Sequence, residues 1–270
     1  MKPLTFVLRA APLQRLDLSP LTPRNLAGKS ATEIAAIELQ TTRERATVGD
    51  VFRVRKGDAS TILIEGGADR LDRVGAGLAE GEIIVEEVVG VEAGRLMTGG
   101  RLVIRGDAGA FAGSCMSGGR LDIMGDAGDR LGGPLAGETV GMSGGVLYVR
   151  GDAGSRAGDR LRRGFVLIEG RAGAYAGSRM IAGTLAIGGE AGDLPGYLMD
   201  RGTILIGRGA RRLSPTFGDC GEHDFVAARL IAEYVAQASE RLARLWRRPL
   251  RRLAGDLAAL GKGEILLPPA

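Results

Sequence analysis

Glycine decides what this chain can fold into. Between Gly57 and Gly209 lie 38 of the 45 glycines, about a quarter of that stretch. Glycine loses more backbone freedom on folding than any other residue and is unfavourable inside helices, so this stretch is not a helical domain. It is not collagen, because glycine does not recur at every third position and there are only 10 prolines. A disordered tract is excluded by the 44% hydrophobic share and by the placement of the glycines between short apolar runs. What remains is a repeat of short strands and tight turns.

The repeat is explicit. Apolar pairs precede marker glycines at Leu102, Ile104 and Gly106, then at Leu121, Ile123 and Gly125, and at Leu147, Val149 and Gly151. Further copies run through Val166, Ile168 and Gly170, through Leu185, Ile187 and Gly189, and through Ile204, Ile206 and Gly207. The markers are spaced 19, 26, 19, 19 and 18 residues apart. Ile62 to Ile64 and Ile83 to Val85 read as degenerate earlier copies, which gives about eight coils. A second signature follows each marker, with glycines in pairs four residues apart: Gly109 and Gly113, Gly128 and Gly132, Gly154 and Gly158, Gly173 and Gly177, Gly192 and Gly196. An apolar residue often stands three further on, as at Met116, Leu161, Met180 and Met199.

A strand rises about 3.3 Å per residue, so 19 residues hold about three short sides and their corners. Corners need positive φ or close backbone approach, which glycine allows. The pattern predicts a solenoid over 58–209, with coils about 4.8 Å apart and apolar ladders in a narrow core. The 4% aromatic share suits so thin a core. The coil from Gly125 to Gly151 is seven residues too long. Its extra material, near Pro134 and Glu138, is expected to form a surface loop and a candidate partner contact.

The flanks differ. Residues 1–57 read as mixed α/β, with strands at 5–8, 37–40 and 51–55. Ser30 and Glu33 have capping-box spacing before a helix at about 31–36. In 210–270, apolar residues from Phe225 to Trp246 recur at three- and four-residue spacing and predict one amphipathic helix over about 223–247. A second helix is expected after Pro249, with Leu250, Leu253, Leu257 and Leu260 on its apolar face and Gly261 as its stop. This helical tail would cap the solenoid or dock on a partner.

The net charge of +4 is mild for a nucleic-acid binder, and the basic residues are spread out. Two cysteines, Cys115 and Cys220, cannot build a cluster site or a disulfide framework. There is no signal-like N-terminus and no apolar run of membrane-spanning length, so the cytoplasm is the simplest location.

Chemical motifs are weak. The GxGxxG-like strings lead into further strands and glycines rather than into a helix, which argues against a dinucleotide site. Gly28, Lys29 and Ser30 lack the rest of a phosphate loop. A hexapeptide-type acyltransferase would rely on a histidine between coils. The single histidine, His223, follows the last coil. Asp219, Cys220 and His223 raise a nucleophilic or metal site, but they lack zinc spacing and read better as a polar turn into the terminal helix. Asp107, Asp126 and Asp152 lack calcium-repeat spacing and read as corner hydrogen-bonders.

The repeats at 106–113, 125–132 and 151–158, with variants at 170–177 and 189–196, resemble the C subunit of formylmethanofuran dehydrogenase and of the related bacterial formyltransferase/hydrolase complex. The glycine repeat is also shared by the C-terminal domain of the glutamate synthase large subunit, where it would be a spacer. The resemblance implies a right-handed parallel β-helix that binds A, B and D subunits, with a metal in the A subunit. In the archaeal enzyme the B subunit holds a molybdopterin site. In the bacterial complex formyl moves from tetrahydromethanopterin to a methanofuran-type carrier and leaves as formate. The arginine-rich composition favours the bacterial form. No catalytic, cofactor or metal residue carries over to this chain. The repeat glycines are assigned to structure, and Pro134, Glu138, Phe217, Asp219, Cys220, His223 and Trp246 to candidate partner contact.

Overall fold

The computed structural model describes residues 2–269. Thirteen strands form one sheet. In chain order they are β1 (Pro3–Leu8), β2 (Phe52–Arg55), β3 (Asp58–Glu65), β4 (Glu82–Val85), β5 (Thr98–Ile104), β6 (Gly118–Ile123) and β7 (Val146–Val149). Then come β8 (Phe165–Ile168), β9 (Thr184–Ile187), β10 (Arg201–Ile206), β11 (Gly218–His223), β12 (Leu250–Gly255) and β13 (Lys262–Leu267). From β3 to β10 each repeat contributes one strand, paired in parallel with the next. β1 joins β3 and β13 joins β10, both in parallel.

The register explains the apolar pairs. Ile62, Ile83, Leu102, Leu121, Leu147, Val166, Leu185, Ile204 and Ile265 are successive partners, and all are fully buried. Ile64 to Ile206 form a second ladder two residues on. Burying each such side chain stabilises the chain by about 1.5–3 kcal/mol. A separate row of single parallel bridges links Val89, Ala108, Ala127, Ala153, Ala172 and Ala191. Buried Met97, Met116, Met142, Leu161, Met180 and Met199 fill the space between these rows. Methionine suits this irregular space because it is unbranched and polarizable.

The glycines divide by cause. Gly113, Gly132, Gly158, Gly177 and Gly196 have φ between +67° and +71°. Gly106, Gly109, Gly125, Gly128, Gly151, Gly154, Gly170, Gly173, Gly189 and Gly192 have ordinary φ. A Cβ on any of them would lie 2.0–2.7 Å from atoms of the preceding repeat. Non-glycine residues also take the left-handed corner positions, among them Phe111 (φ 62°), Tyr175 (φ 61°) and Arg179 (φ 53°). Their backbone N–H groups donate to Asp129, Asp193 and Tyr197 of the next coil. That cross-coil bond holds a conformation which would otherwise cost about 1–3 kcal/mol.

The N-terminal expectations hold in outline. Two short helices not anticipated from the sequence are α1 (Pro23–Leu26) and α3 (Val48–Val51). Between them the Ser30 capping box forms before α2 (Ala31–Ala35), with Ser30 N–H donating to Glu33 Oε2 at 2.7 Å.

The C-terminal segment departs from its reading. The expected helix over 223–247 is two helices, α4 (Val226–Ala236) and α5 (Glu240–Trp246). They break at Ser239, whose Oγ accepts from Leu242 N–H and caps α5. The expected helix after Pro249 is instead β12 and β13, an antiparallel pair. Leu250 packs under α4 and α5, while Leu253 packs into the larger core of the strand ladder. β12 is thus buried on both faces, which removes the alternation that marks a strand and leaves a helix-like spacing. Leu257 and Leu260 lie in the exposed turn. The helices do not cap the stack. They cover the outward row Tyr148, Leu167, Ala186, Leu205 and Leu266, and β13, β12 and β11 extend its end.

Candidate functional site

The turns between the repeated strands carry a chain of carboxylates. Asp107 Oδ1 accepts the backbone N–H of Asp126, Asp126 Oδ1 that of Asp152, and Asp152 Oδ1 that of Arg171, each at 2.7 Å. Asp129 does the same for Ser155 at 2.7 Å. The hydrogen bond from Arg171 N–H holds the Asp152 carboxyl below its usual range. These aspartates are corner hydrogen-bonders, as read from the sequence. Among the described residues no group of three or more His, Cys, Asp or Glu could hold a metal ion. No described helix is long and apolar enough to cross a membrane.

Two buried acids of the repeats escaped the sequence reading, besides Asp256 in the turn after β12. Asp159 accepts from Ser178 Oγ at 2.8 Å and from Arg179 Nε at 3.0 Å. Asp122 is paired with Arg101 and Arg120. The only signal was an aspartate at a repeat position otherwise held by small or apolar residues. Both tie neighbouring coils together.

The inserted loop folds down onto the stack. Pro134 is buried, and Ala136, Gly137 and Thr139 form the exposed tip. Glu138 Oε1 accepts from Arg95 Nη2 at 2.5 Å, and its Oε2 accepts from Leu135 N–H at 2.7 Å. Cys115 Sγ donates to the same Oε2 at 3.0 Å. The Arg95 hydrogen bond, aided by those of Cys115 and Leu135, holds the Glu138 carboxyl down to about 2. Burial, then the Glu138 hydrogen bond, pushes the Cys115 thiol up, the opposite of what an activated nucleophile needs. Glu138 therefore fastens the loop to this chain.

The other candidates separate in space. Phe217 packs on the last coil, close against Gly196 and Gly255. Trp246 is 1% exposed, so its ring is taken up under the helices and is not a contact surface. Its Nε1–H has no hydrogen-bond partner among the described residues. Asp219, Cys220 and His223 are exposed on β11, the outer strand of the sheet, which replaces the expected polar turn. Asp219 Oδ2 accepts from Arg251 Nη2 at 2.6 Å, which holds its carboxyl low. His223 Nε2 sits 2.8 Å from the Cys220 carbonyl and does not meet the thiol. No nucleophile and base come together on this strand.

No family model matches the sequence. The chain is 53% identical over 264 residues to the C subunit of the formyltransferase/hydrolase complex Fhc of Methylorubrum extorquens, covering 98% of this chain and 99% of that protein. The chain belongs to the family of Fhc C subunits. A solved structure is also similar, the formyltransferase/hydrolase complex FhcABCD of Methylorubrum extorquens in complex with methylofuran. It superposes with a TM-score of 0.95 at 45% identity, over 98% of this chain and 99% of the matched chain. The similarity extends along almost the whole length of both chains.

Proposed function

We propose that this chain is the non-catalytic structural C subunit of a bacterial formyltransferase/hydrolase complex. That complex moves formyl from tetrahydromethanopterin to a methanofuran-type carrier and releases formate, in one-carbon metabolism. The carrier and the metal of the A subunit would lie outside this chain, held with the help of A, B and D partners in the cytoplasm. The full-length 53% identity to an Fhc C subunit supports this reading most directly.

The architecture proposed for that role is a right-handed parallel β-helix of about eight coils over 58–209. A mixed segment, 1–57, precedes it and a tail, 210–270, follows. One strand per repeat, the cross-coil corner bonds and the closely approached glycines support it. Asp219, Cys220 and His223 remain the proposed partner contacts, because they are exposed.

The test is co-purification at native expression. Three stoichiometric partners, one a metal-binding amidohydrolase, are expected to accompany the chain. Elution alone or as a homotrimer would reject the reading.

A further inference from the structure

A surface cleft of about 290 Å³ opens beside the approaches to β8, β9 and β10. Arg162, Arg163 and Arg201 line it, over Ile181 and Ala182, with Leu260 at its lip and Asp200 as its single acid. Beside the cleft, Lys262 of β13 is the register partner of Arg201, and both are exposed.

Several arginines elsewhere on the repeats are neutralised, although Arg150, Arg156, Arg160 and Arg208 hold no carboxylate among the described residues. Arg73, Arg95, Arg120 and Arg179 each hold a carboxylate. The side chains of Arg162, Arg163 and Arg201 have no hydrogen-bond or ion-pair partner among the described residues, and Asp200 reaches none of them. Like charges directly opposite one another on neighbouring strands are destabilising. A cationic row kept on a rigid ladder is a preorganised site for anions, and guanidinium forks favour carboxylate or phosphate oxygens.

Its geometry selects the anion. Coils stack about 4.8 Å apart, so Arg163 and Arg201, two coils apart, stand about 10 Å apart. An extended peptide with acidic residues two to four positions apart spans about 7–13 Å. The apolar floor and Leu260 between the cations suit an intervening apolar side chain. No aromatic residue lines the cleft, so it offers no platform for stacked bases. We propose that this cleft binds an extended acidic peptide segment of a partner polypeptide, its carboxylates on Arg163 and Arg201 and an apolar residue over Ile181 and Ala182.

The full chain can be tested by fluorescence anisotropy with a labelled peptide of alternating glutamate and alanine. Binding should weaken about tenfold or more in Arg163→Ala/Arg201→Ala, and should fall as salt rises from about 50 to 300 mM. It should be unchanged in Arg53→Ala, whose exposed arginine lies on β2 at the opposite edge of the sheet. Matching melting curves would show that the variants fold. The proposal is overturned by absence of peptide binding at low salt or by equal affinity of the double variant. It is also overturned if citrate displaces the peptide at equal carboxylate concentration, which would indicate a free small acid, or if a single-stranded oligonucleotide binds more tightly. None of these outcomes depends on co-purification, so the cleft and the assembly reading stand or fall separately.

Discussion

The ladder from β3 to β10 and the segment from β11 to β13 belong to one sheet, yet they are built differently. In the ladder, each strand is a repeat of the last, and the register follows from the marker glycines. In the terminal segment each strand occurs once, and β12 is buried on two faces, against the main core and under α4 and α5. Leu250 and Leu253 therefore serve different cores, and their spacing imitates one side of a helix. Repetition removes an ambiguity that apolar spacing alone leaves open.

The sharpest way to break this contrast is at Trp246. If the helices and the ladder form one cooperative unit, Trp246→Ala should lower the stability of the whole chain by about 3–5 kcal/mol in urea unfolding. A separate early transition, with the main one unmoved, would mean that the tail folds apart from the ladder. Next comes the terminal hairpin. Leu253→Ala should cost about 2–5 kcal/mol, while Leu257→Ala, at a position 69% exposed, should stay within about 0.5 kcal/mol. Equal losses would restore the helix reading.

Inside the ladder, Gly151→Ala places a Cβ 2.1 Å from Asp126 Oδ1 and 2.6 Å from the Gly125 carbonyl. A loss of about 1–3 kcal/mol is expected. Gly137→Ala, in open space at φ +88°, should lose about 1 kcal/mol from backbone strain alone. A harmless Gly151→Ala would show that the coils can part without cost.

The inserted loop gives a pH-dependent measurement. The Glu138 carboxyl is lowered from 4.5 to about 2 in the folded chain, so its contribution is complete above about pH 5 and is lost as pH falls toward 2. Glu138→Gln should cost about 1–2 kcal/mol near neutrality, and wild type and variant should converge at the acid end. A constant difference across that range would remove the ion pair as the cause. The smallest expected effect is none at all: EDTA or added calcium should leave the melting temperature unchanged, because Asp107, Asp126 and Asp152 spend one oxygen each on backbone N–H groups. A calcium-dependent rise would reopen the ladder of aspartates as a metal site.

Much of the ladder was legible in the sequence because glycine, leucine and isoleucine recur at fixed positions and each copy corrects the reading of its neighbours. The aspartate corners were legible for the same reason. The left-handed Phe111, Tyr175 and Arg179 were not, since nothing in those residue types demands positive φ and the cause lies in the next coil. Of the candidate contacts, Pro134 and Trp246 turned inward. A lone tryptophan at helical spacing says that one side is covered, without saying whether a partner or the same chain covers it. The arginine cleft was invisible because its arginines come from two repeats and are separated by up to 39 residues of sequence.

The inserted loop has a consequence for how such a chain changes over evolutionary time. Its extra residues enter and leave at one corner, and Leu121 still pairs with Leu147 as if nothing intervened. Lengthening a corner leaves the strand order, the register and the buried rows untouched. New surface can thus be added in one genetic step, and the heritable cost falls on the loop rather than on the fold.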